Sequence, residues 1–273
     1  MTENILDGRV AIVTGAGRGM GRAMAVALAV AGARVVATVA RSQDELDALG
    51  REIAEAAGDD RILALKSDVT DEDQCRAVVE EARDRFGAVH VLVNNAARGH
   101  KFIHDANPDQ PMDFWTADGD AWRLMIDTNV NGPFYMAKAV TPLMITQGWG
   151  RIINISATLN TMQKTRNSPY GISKAALESE TLIWSKDVAG TGVTVNTLSP
   201  GGATLTGMVY GEARNNPKLL KPEIMMAPIV WLASDASDGI NGERIIAKDW
   251  DASLDATAAG KAAIAPSAFL QPG

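Results

Sequence analysis

Seven short apolar runs punctuate the chain, at 9–14, 33–39, 61–68, 89–95, 150–156, 192–198 and 243–249. Several, such as RVAIVT and ARVVATV, are almost continuously apolar where a strand with one wet face would alternate. This predicts strands covered on both sides. The longer segments between them predict helices near 21–31, 43–57, 71–86, 119–147, 169–190 and 222–234. Gly32 and Gly58 stand where helices would stop, Asp71 suits an N-cap, and Ser42 opens SQDE, which reads as a capping box. Regular alternation of strand and helix predicts parallel βαβ units. The expected fold is α/β, a doubly wound parallel sheet of about seven strands.

Two stretches break the alternation. Residues 98–118, RGHKFIHDANPDQPMDFWTAD, are polar and rich in Pro and Asp, which predicts a long loop. The tail 251–273 is rich in small residues and is expected either to be disordered or to pack across a neighbouring subunit. No repeat, linker or low-complexity block divides the chain, so residues 1–250 are expected to form one domain.

Composition narrows the function classes. The formal charge is −7, from 26 Lys and Arg against 33 Asp and Glu, and no long basic stretch could follow a phosphate backbone. Nucleic acid is therefore not an expected partner. A lone Cys75 excludes an intrachain disulfide and suits a reducing compartment. The start, MTENILDGR, lacks the pattern of a secretory signal, and the run AMAVALAVAGA is far short of the roughly 20 residues that cross a bilayer. The expectation is a globular protein of the cytoplasm with no membrane partner.

The first run leads directly into TGAGRGMG, residues 14–21, and then into an Ala-rich helix. A glycine triplet in that context points to a dinucleotide. Gly15 would permit a tight turn, Gly19 would let a pyrophosphate approach the backbone beside Met20, and Gly21 would let the helix pack closely. The anion would rest on the helix N-terminus. A nucleotide-hydrolase loop would need Gly-Lys-Ser/Thr at its end, where this chain has Gly21–Arg22–Ala23. At the end of the second run an acid would bond a ribose 2′-hydroxyl and repel a 2′-phosphate. Here stand Ala40–Arg41–Ser42, so NADP(H) is expected in preference to NAD(H), with Arg41 and Arg18 as the cations.

Moving a hydride to a carbonyl leaves an alkoxide in need of a proton. Tyr170 and Lys174 in NSPYGISK lie four residues apart, one helical turn. An ammonium there would favour the phenolate of a tyrosine whose ordinary pKa is about 10. Ser156 closes the fifth run, and strand ends are where sites form in open α/β sheets.

The form T-G-x(3)-G-x-G at Thr14, Gly15, Gly19 and Gly21 resembles the short-chain dehydrogenase/reductase family, as do NNAA at 94–97, Y-x(3)-K at 170–174 and the upstream Ser156. The resemblance covers about residues 8–248. It implies a Rossmann-type single catalytic domain and an NADP-dependent oxidoreductase acting on a ketone or aldehyde and the matching alcohol. It also implies a homodimer or homotetramer. Tyr170 would be the general acid/base, Ser156 would orient the substrate oxygen, and Lys174 would lower the tyrosine pKa and bond the nicotinamide ribose. Asn129 in DTNVNGPF would hold a water of the proton relay.

For the cofactor, the resemblance adds Asp68–Val69 beside adenine, Asn95–Ala96 in NNAA, and Pro200–Gly201 in LSPGG. The threonine expected five residues after the proline is Leu205, so Thr206 is taken as the carboxamide contact. Ala97 stands in place of the usual glycine, tolerable where φ is negative. The segment 204–221 would be the substrate lid, with Leu205, Met208, Val209 and Tyr210 closing an apolar pocket. Phe102, Phe114 and Trp115 could add a wall, which suggests an apolar or aromatic substrate. AKDWD replaces the family's V-D-G-G ending, so Trp250 would line the substrate wall or seal an interface. No metal is expected, because His100 and His104 lie in an irregular loop without a cysteine partner. The alternative is a non-catalytic NADPH-sensing regulator on the same fold, which would predict loss of Ser156, Tyr170 or Lys174; all three are present.

Overall fold

The first apolar run folds as β1 (Val10–Thr14), buried at every position, in a computed structural model that describes residues 4–100, 103, 113–209 and 211–269. Val10 and Ile12 face one core cluster while Ala11 and Val13 face another, so both faces of the strand are covered. That is the physical reason its polar alternation is missing.

The chain continues through α1 (Gly19–Val30), β2 (Arg34–Val39), α2 (Gln43–Ala57), β3 (Ile62–Lys66), α3 (Glu72–Phe86) and β4 (Val91–Asn94). Leu46, Leu49 and Ile53 on α2 and Cys75, Val78, Val79 and Ala82 on α3 give each helix one buried stripe. Ser42 Oγ accepts from Glu45 N at 3.2 Å and Asp71 Oδ1 accepts from Gln74 N at 3.1 Å, so both expected caps form. Then follow α4 (Gly119–Ile126), a π-helical turn (Asp127–Asn131) and α5 (Gly132–Gln147). The single helix expected over 119–147 is thus interrupted at Asn129.

The second half adds β5 (Gly150–Ile155), α6 (Leu159–Gln163), α7 (Tyr170–Asp187), β6 (Val193–Ser199), α8 (Met226–Leu232), β7 (Arg244–Ile246), α9 (Ala256–Ala262) and β8 (Ile264–Ala265). The strand order is β3-β2-β1-β4-β5-β6-β7-β8, parallel throughout except for β8 against β7. The sheet therefore has eight strands, one more than the apolar runs announce. β8 is too short and too small-residued to read as a strand. The expectation of disorder does not describe residues 256–265: α9 packs Gly260 on the Trp231 ring and β8 extends the chain's own sheet. Trp250 lies against Trp231 with ring centroids 6.0 Å apart, in the same corner. No helix among the described residues is long and apolar enough to cross a membrane.

Strand order reverses between β1 and β4, and in open parallel sheets the crevice beyond the strand ends at such a point takes the ligand. Buried amides brace this region. Asn94 Nδ2 donates to Asn154 Oδ1 at 2.9 Å, and Asn154 Nδ2 donates to Thr181 Oγ1 on α7 at 2.9 Å.

Candidate active site

A cleft of about 430 Å³ opens beyond the carboxyl ends of β1, β2, β4 and β5. One wall is the glycine loop. Gly15 has φ +63°, and a Cβ there would sit 2.9 Å from Ala96 Cα. Gly19 has φ +56° and starts α1, whose N-cap Arg18 provides no side-chain cap. The first N–H groups of that helix thus meet the cleft without a side-chain acceptor. Gly21 has a further reason: a Cβ would lie 2.4 Å from Gly15 O and 2.5 Å from Asn95 Nδ2. Its close packing is against the glycine loop and against Asn95, directly after β4.

Thr14 stitches this loop to NNAA. Its Oγ1 accepts from Asn95 N and Ala96 N, both at 3.0 Å, and Asn95 Nδ2 returns to Thr14 O at 2.8 Å and Gly15 O at 3.0 Å. Arg166 is the non-glycine residue with positive φ among the described residues, so Ala97 adopts an ordinary backbone. Asp68 Oδ1 accepts from Thr70 N and Oγ1, initiating a turn while Asp68 and Val69 line the cleft.

Arg18, Met20, Arg41, Ser42, Asn95, Ala96 and Thr206 also line the cleft, as do Ser156, Tyr170 and Lys174. Leu205 does not, whereas Thr206 packs against Gly19. Three expected residues stand back from the lining: Pro200 is buried, Gly201 packs toward Ile246 and Lys248, and Asn129 is fully buried. The side chain of Asn129 is engaged within the protein. Its Oδ1 accepts from Arg98 N at 2.8 Å, and its Nδ2 donates to Arg98 O and Ser173 Oγ, both at 3.0 Å. Ser173 Oγ in turn donates to Tyr170 O at 2.7 Å. Ser173, which sequence reasoning passed over, therefore links Asn129 to the tyrosine; its place directly before Lys174 was the available signal.

Lys174 is buried and its Nζ donates to Ile155 O at 2.7 Å, beside Ser156. Burial brings its pKa down to about 8, opposed by Glu178 one turn along α7. Burial pushes the Tyr170 phenol up to about 12. Burial of the phenol sets this direction, opposite to the lowering expected from the neighbouring ammonium. Glu178 and Arg244 form an ion pair at 3.2 Å with side chains 3% and 5% exposed, and Arg244 Nη2 donates to Ala157 O at 2.7 Å.

The outer parts differ from expectation. Phe114 and Trp115 are exposed and pack edge to face, centroids 5.1 Å apart, away from the cleft lining. Trp250 likewise lies outside the lining. Met208 does line it and packs on Gly99. The His100 ring is 5.6 Å from that of Tyr170 and hydrogen-bonds Asn167 Oδ1. Phe102, His104 and Tyr210 lie outside the described residues.

Two hydroxyls in the lining, Ser67 Oγ and Ser156 Oγ, are buried with no hydrogen-bond partner among the described residues. A buried polar group without a partner is costly, so each suits a ligand atom. With glycines leaving room for a backbone approach and cations in the lining, the residues fit an extended anionic dinucleotide.

The model of the short chain dehydrogenase family matches residues 9–216. The chain belongs to the short-chain dehydrogenase/reductase family. It is 35% identical to the chloroplastic NADPH-dependent aldehyde reductase 2 of Arabidopsis thaliana, over 89% of this chain and 93% of that one. It is 32% identical to the 3-oxoacyl-acyl-carrier-protein reductase of Thermotoga maritima, over 88% and 96%. A solved short-chain type dehydrogenase/reductase from Mycobacterium marinum superposes with TM-score 0.77 at 27% identity, covering 89% of this chain and 95% of that one. This short-chain dehydrogenase/reductase is thus an oxidoreductase of a family that works with a nicotinamide cofactor.

Proposed function

We propose that the protein is an NADP(H)-dependent carbonyl reductase, converting a ketone or aldehyde to its alcohol, with Tyr170 as the general acid. The observation that carries this reading is the buried Ser156 Oγ just after β5, without a hydrogen-bond partner among the described residues and in one cleft with Tyr170 and Lys174. When bound, the nicotinamide cofactor supplies hydride. Ser156 would donate to the substrate carbonyl oxygen and hold it facing Tyr170. Tyr170, protonated at neutral pH with its pKa near about 12, would deliver the proton as the alkoxide forms. A neutral phenol suits reduction, while alcohol oxidation would need the phenolate. Lys174 would steady the end of β5 through Ile155 O and bond the cofactor ribose. Asn129 would fix the helix turn, through Arg98 and Ser173, from which the proton relay continues.

Arg41 and the missing acid at residue 40 support NADP(H) over NAD(H). Met208 and Gly99 support a substrate with an apolar portion next to its carbonyl. Exposed Phe134 and Ile145 on α5, with Ile172 and Ile183 on α7, support a homodimer or homotetramer, and the cytoplasm is the proposed compartment. A panel of apolar, aromatic and charged ketones and aldehydes, followed by loss of NADPH absorbance, tests the reading. Turnover of apolar or aromatic carbonyls is expected, and inertness toward every carbonyl and alcohol would sink it.

A further inference from the structure

The segment that leads into Tyr170 is held from outside at two adjacent residues. Arg166 and Asn167, four and three positions before the tyrosine, each bind one end of the stretch 98–118. At the near end, His100 Nε2 hydrogen-bonds Asn167 Oδ1. The direction of that bond follows from its neighbour. Asn167 Nδ2 donates to Thr161 O on α6, so Oδ1 is the acceptor and the imidazole N–H donates. Asn167 O also accepts from Gly171 N at 2.7 Å, in the first turn of α7. One residue thus joins His100, α6 and the turn that carries Tyr170. At the far end, Arg166 Nε donates to Asp113 Oδ1 at 2.8 Å.

Arg166 holds φ +58°, a left-handed conformation that costs a non-glycine residue and persists only where the surroundings impose it. Its ion pair with Asp113 is open to water, and such a pair adds little stability. What it fixes is geometry. The same stretch also covers the tyrosine: the His100 ring lies 5.6 Å from the Tyr170 ring, and Tyr170 packs against Ile103 and Met125. We propose that His100 and Asp113 are positioning residues for the reaction, fixing the start of α7 through Asn167 and Arg166 and so holding the Tyr170 hydroxyl toward the carbonyl oxygen on Ser156. The inference rests on Tyr170 as the general acid and adds two residues outside the cleft lining. A misplacement of about 1 Å at reacting atoms can cost about a hundredfold in rate, so a tie this close to the tyrosine bears on turnover.

Steady-state kinetics of the full-length protein, with NADPH binding by titration calorimetry and Tm measured alongside, test this. His100→Phe keeps a ring against Tyr170 and loses the N–H; kcat should fall by about tenfold to a hundredfold while NADPH affinity stays within about twofold. His100→Gln restores an N–H donor and should recover a good part of that loss. Arg166→Gly takes the left-handed backbone without penalty and removes the ion pair, so kcat should fall by about threefold to tenfold with Tm no lower. In a Tyr170→Phe background neither His100→Phe nor Arg166→Gly should lower the residual turnover further. Wild-type kcat in both variants, losses that follow Tm alone, or NADPH affinity falling as far as kcat overturns the proposal. A wild type inert toward every carbonyl, or full turnover in Tyr170→Phe, sinks the general-acid reading first, and the inference falls with it. Turnover lost in Tyr170→Phe yet kept in both His100→Phe and Arg166→Gly removes the inference alone.

Discussion

Lys174 donates its ammonium N–H to the carbonyl oxygen of Ile155 at 2.7 Å, tying the catalytic-motif helix to the end of the strand that presents Ser156. The lysine thus acts on the geometry of two candidate groups at once, Tyr170 by shared helix and Ser156 by shared strand. Tyr170→Phe removes the phenolic proton and leaves that tie intact. It should lower kcat by about 10²–10⁴-fold, the range for general acid catalysis, with NADPH affinity nearly unchanged. Steady-state kinetics with a parallel binding titration separate the two, and retained turnover would end the tyrosine assignment.

Cofactor preference should follow the charge at the end of β2. Ala40→Asp combined with Arg41→Leu restores the missing acid and removes one cation, so the NADPH/NADH ratio of kcat/KM should drop by about tenfold or more. An unchanged ratio would put 2′-phosphate recognition elsewhere.

The pair Glu178–Arg244 is closed off from water on both sides. Glu178→Gln leaves the guanidinium buried beside a neutral amide and should cost about 3–5 kcal/mol in urea unfolding. Replacing both, Glu178→Leu with Arg244→Met, should recover most of that stability, yet activity should stay low because Ala157 O then lacks the Arg244 donor. A double variant as unstable as the single one would refute the ion-pair account.

Glu180 predicts a pH slope. Burial pushes its carboxyl from the ordinary 4.5 up to about 8, and its Oε2 has no partner among the described residues. The folded state therefore holds more protons than the unfolded state between these values. The contribution of Glu180 to stability is complete below about 4.5 and is lost as pH rises through about 8. Glu180→Gln, which does not titrate, should flatten the fall in Tm over this window; parallel Tm–pH curves for the two proteins would reject the assignment.

Two glycines on neighbouring helices should respond oppositely to alanine. Gly21→Ala places a Cβ 2.4 Å from Gly15 O, a backbone clash, and should cost about 1–3 kcal/mol with loss of cofactor affinity. Gly50 on α2 has nothing among the described residues within 4 Å of an added Cβ, and Gly50→Ala should add about 0.5–1 kcal/mol through helix propensity. Thermal unfolding of the two variants gives both signs in one experiment.

The features legible in the sequence are those with local causes. α2 runs over the residues expected because Ser42 caps its start and Gly58, at φ +107°, ends it. The buried strands announced themselves by lacking alternation, since helices cover both faces. The π-helical turn at Asn129, the strand β8 and the unlined positions of Trp115 and Trp250 depend on distant packing, to which no local pattern answers. At the site, residue identities could be read one by one, but their charges could not. The capping box promised that Glu45 would turn back on Ser42, and its carboxylate pairs with Arg18 instead. Burial raises Tyr170 where the adjacent Lys174 would lower it, and burial is a property of the whole fold.

Arg244 comes 70 residues after Lys174 and lies beyond the stretch matched by the family model. A chain emerging from the ribosome therefore displays the glycine loop, Ser156, Tyr170 and Lys174 before it has made the strand that supplies the partner of Glu178. Until β7 docks, that carboxylate lacks its Arg244 partner and the Ala157 carbonyl lacks its donor, so the nascent chain carries every signature residue of its candidate site before it has made the strand that braces it.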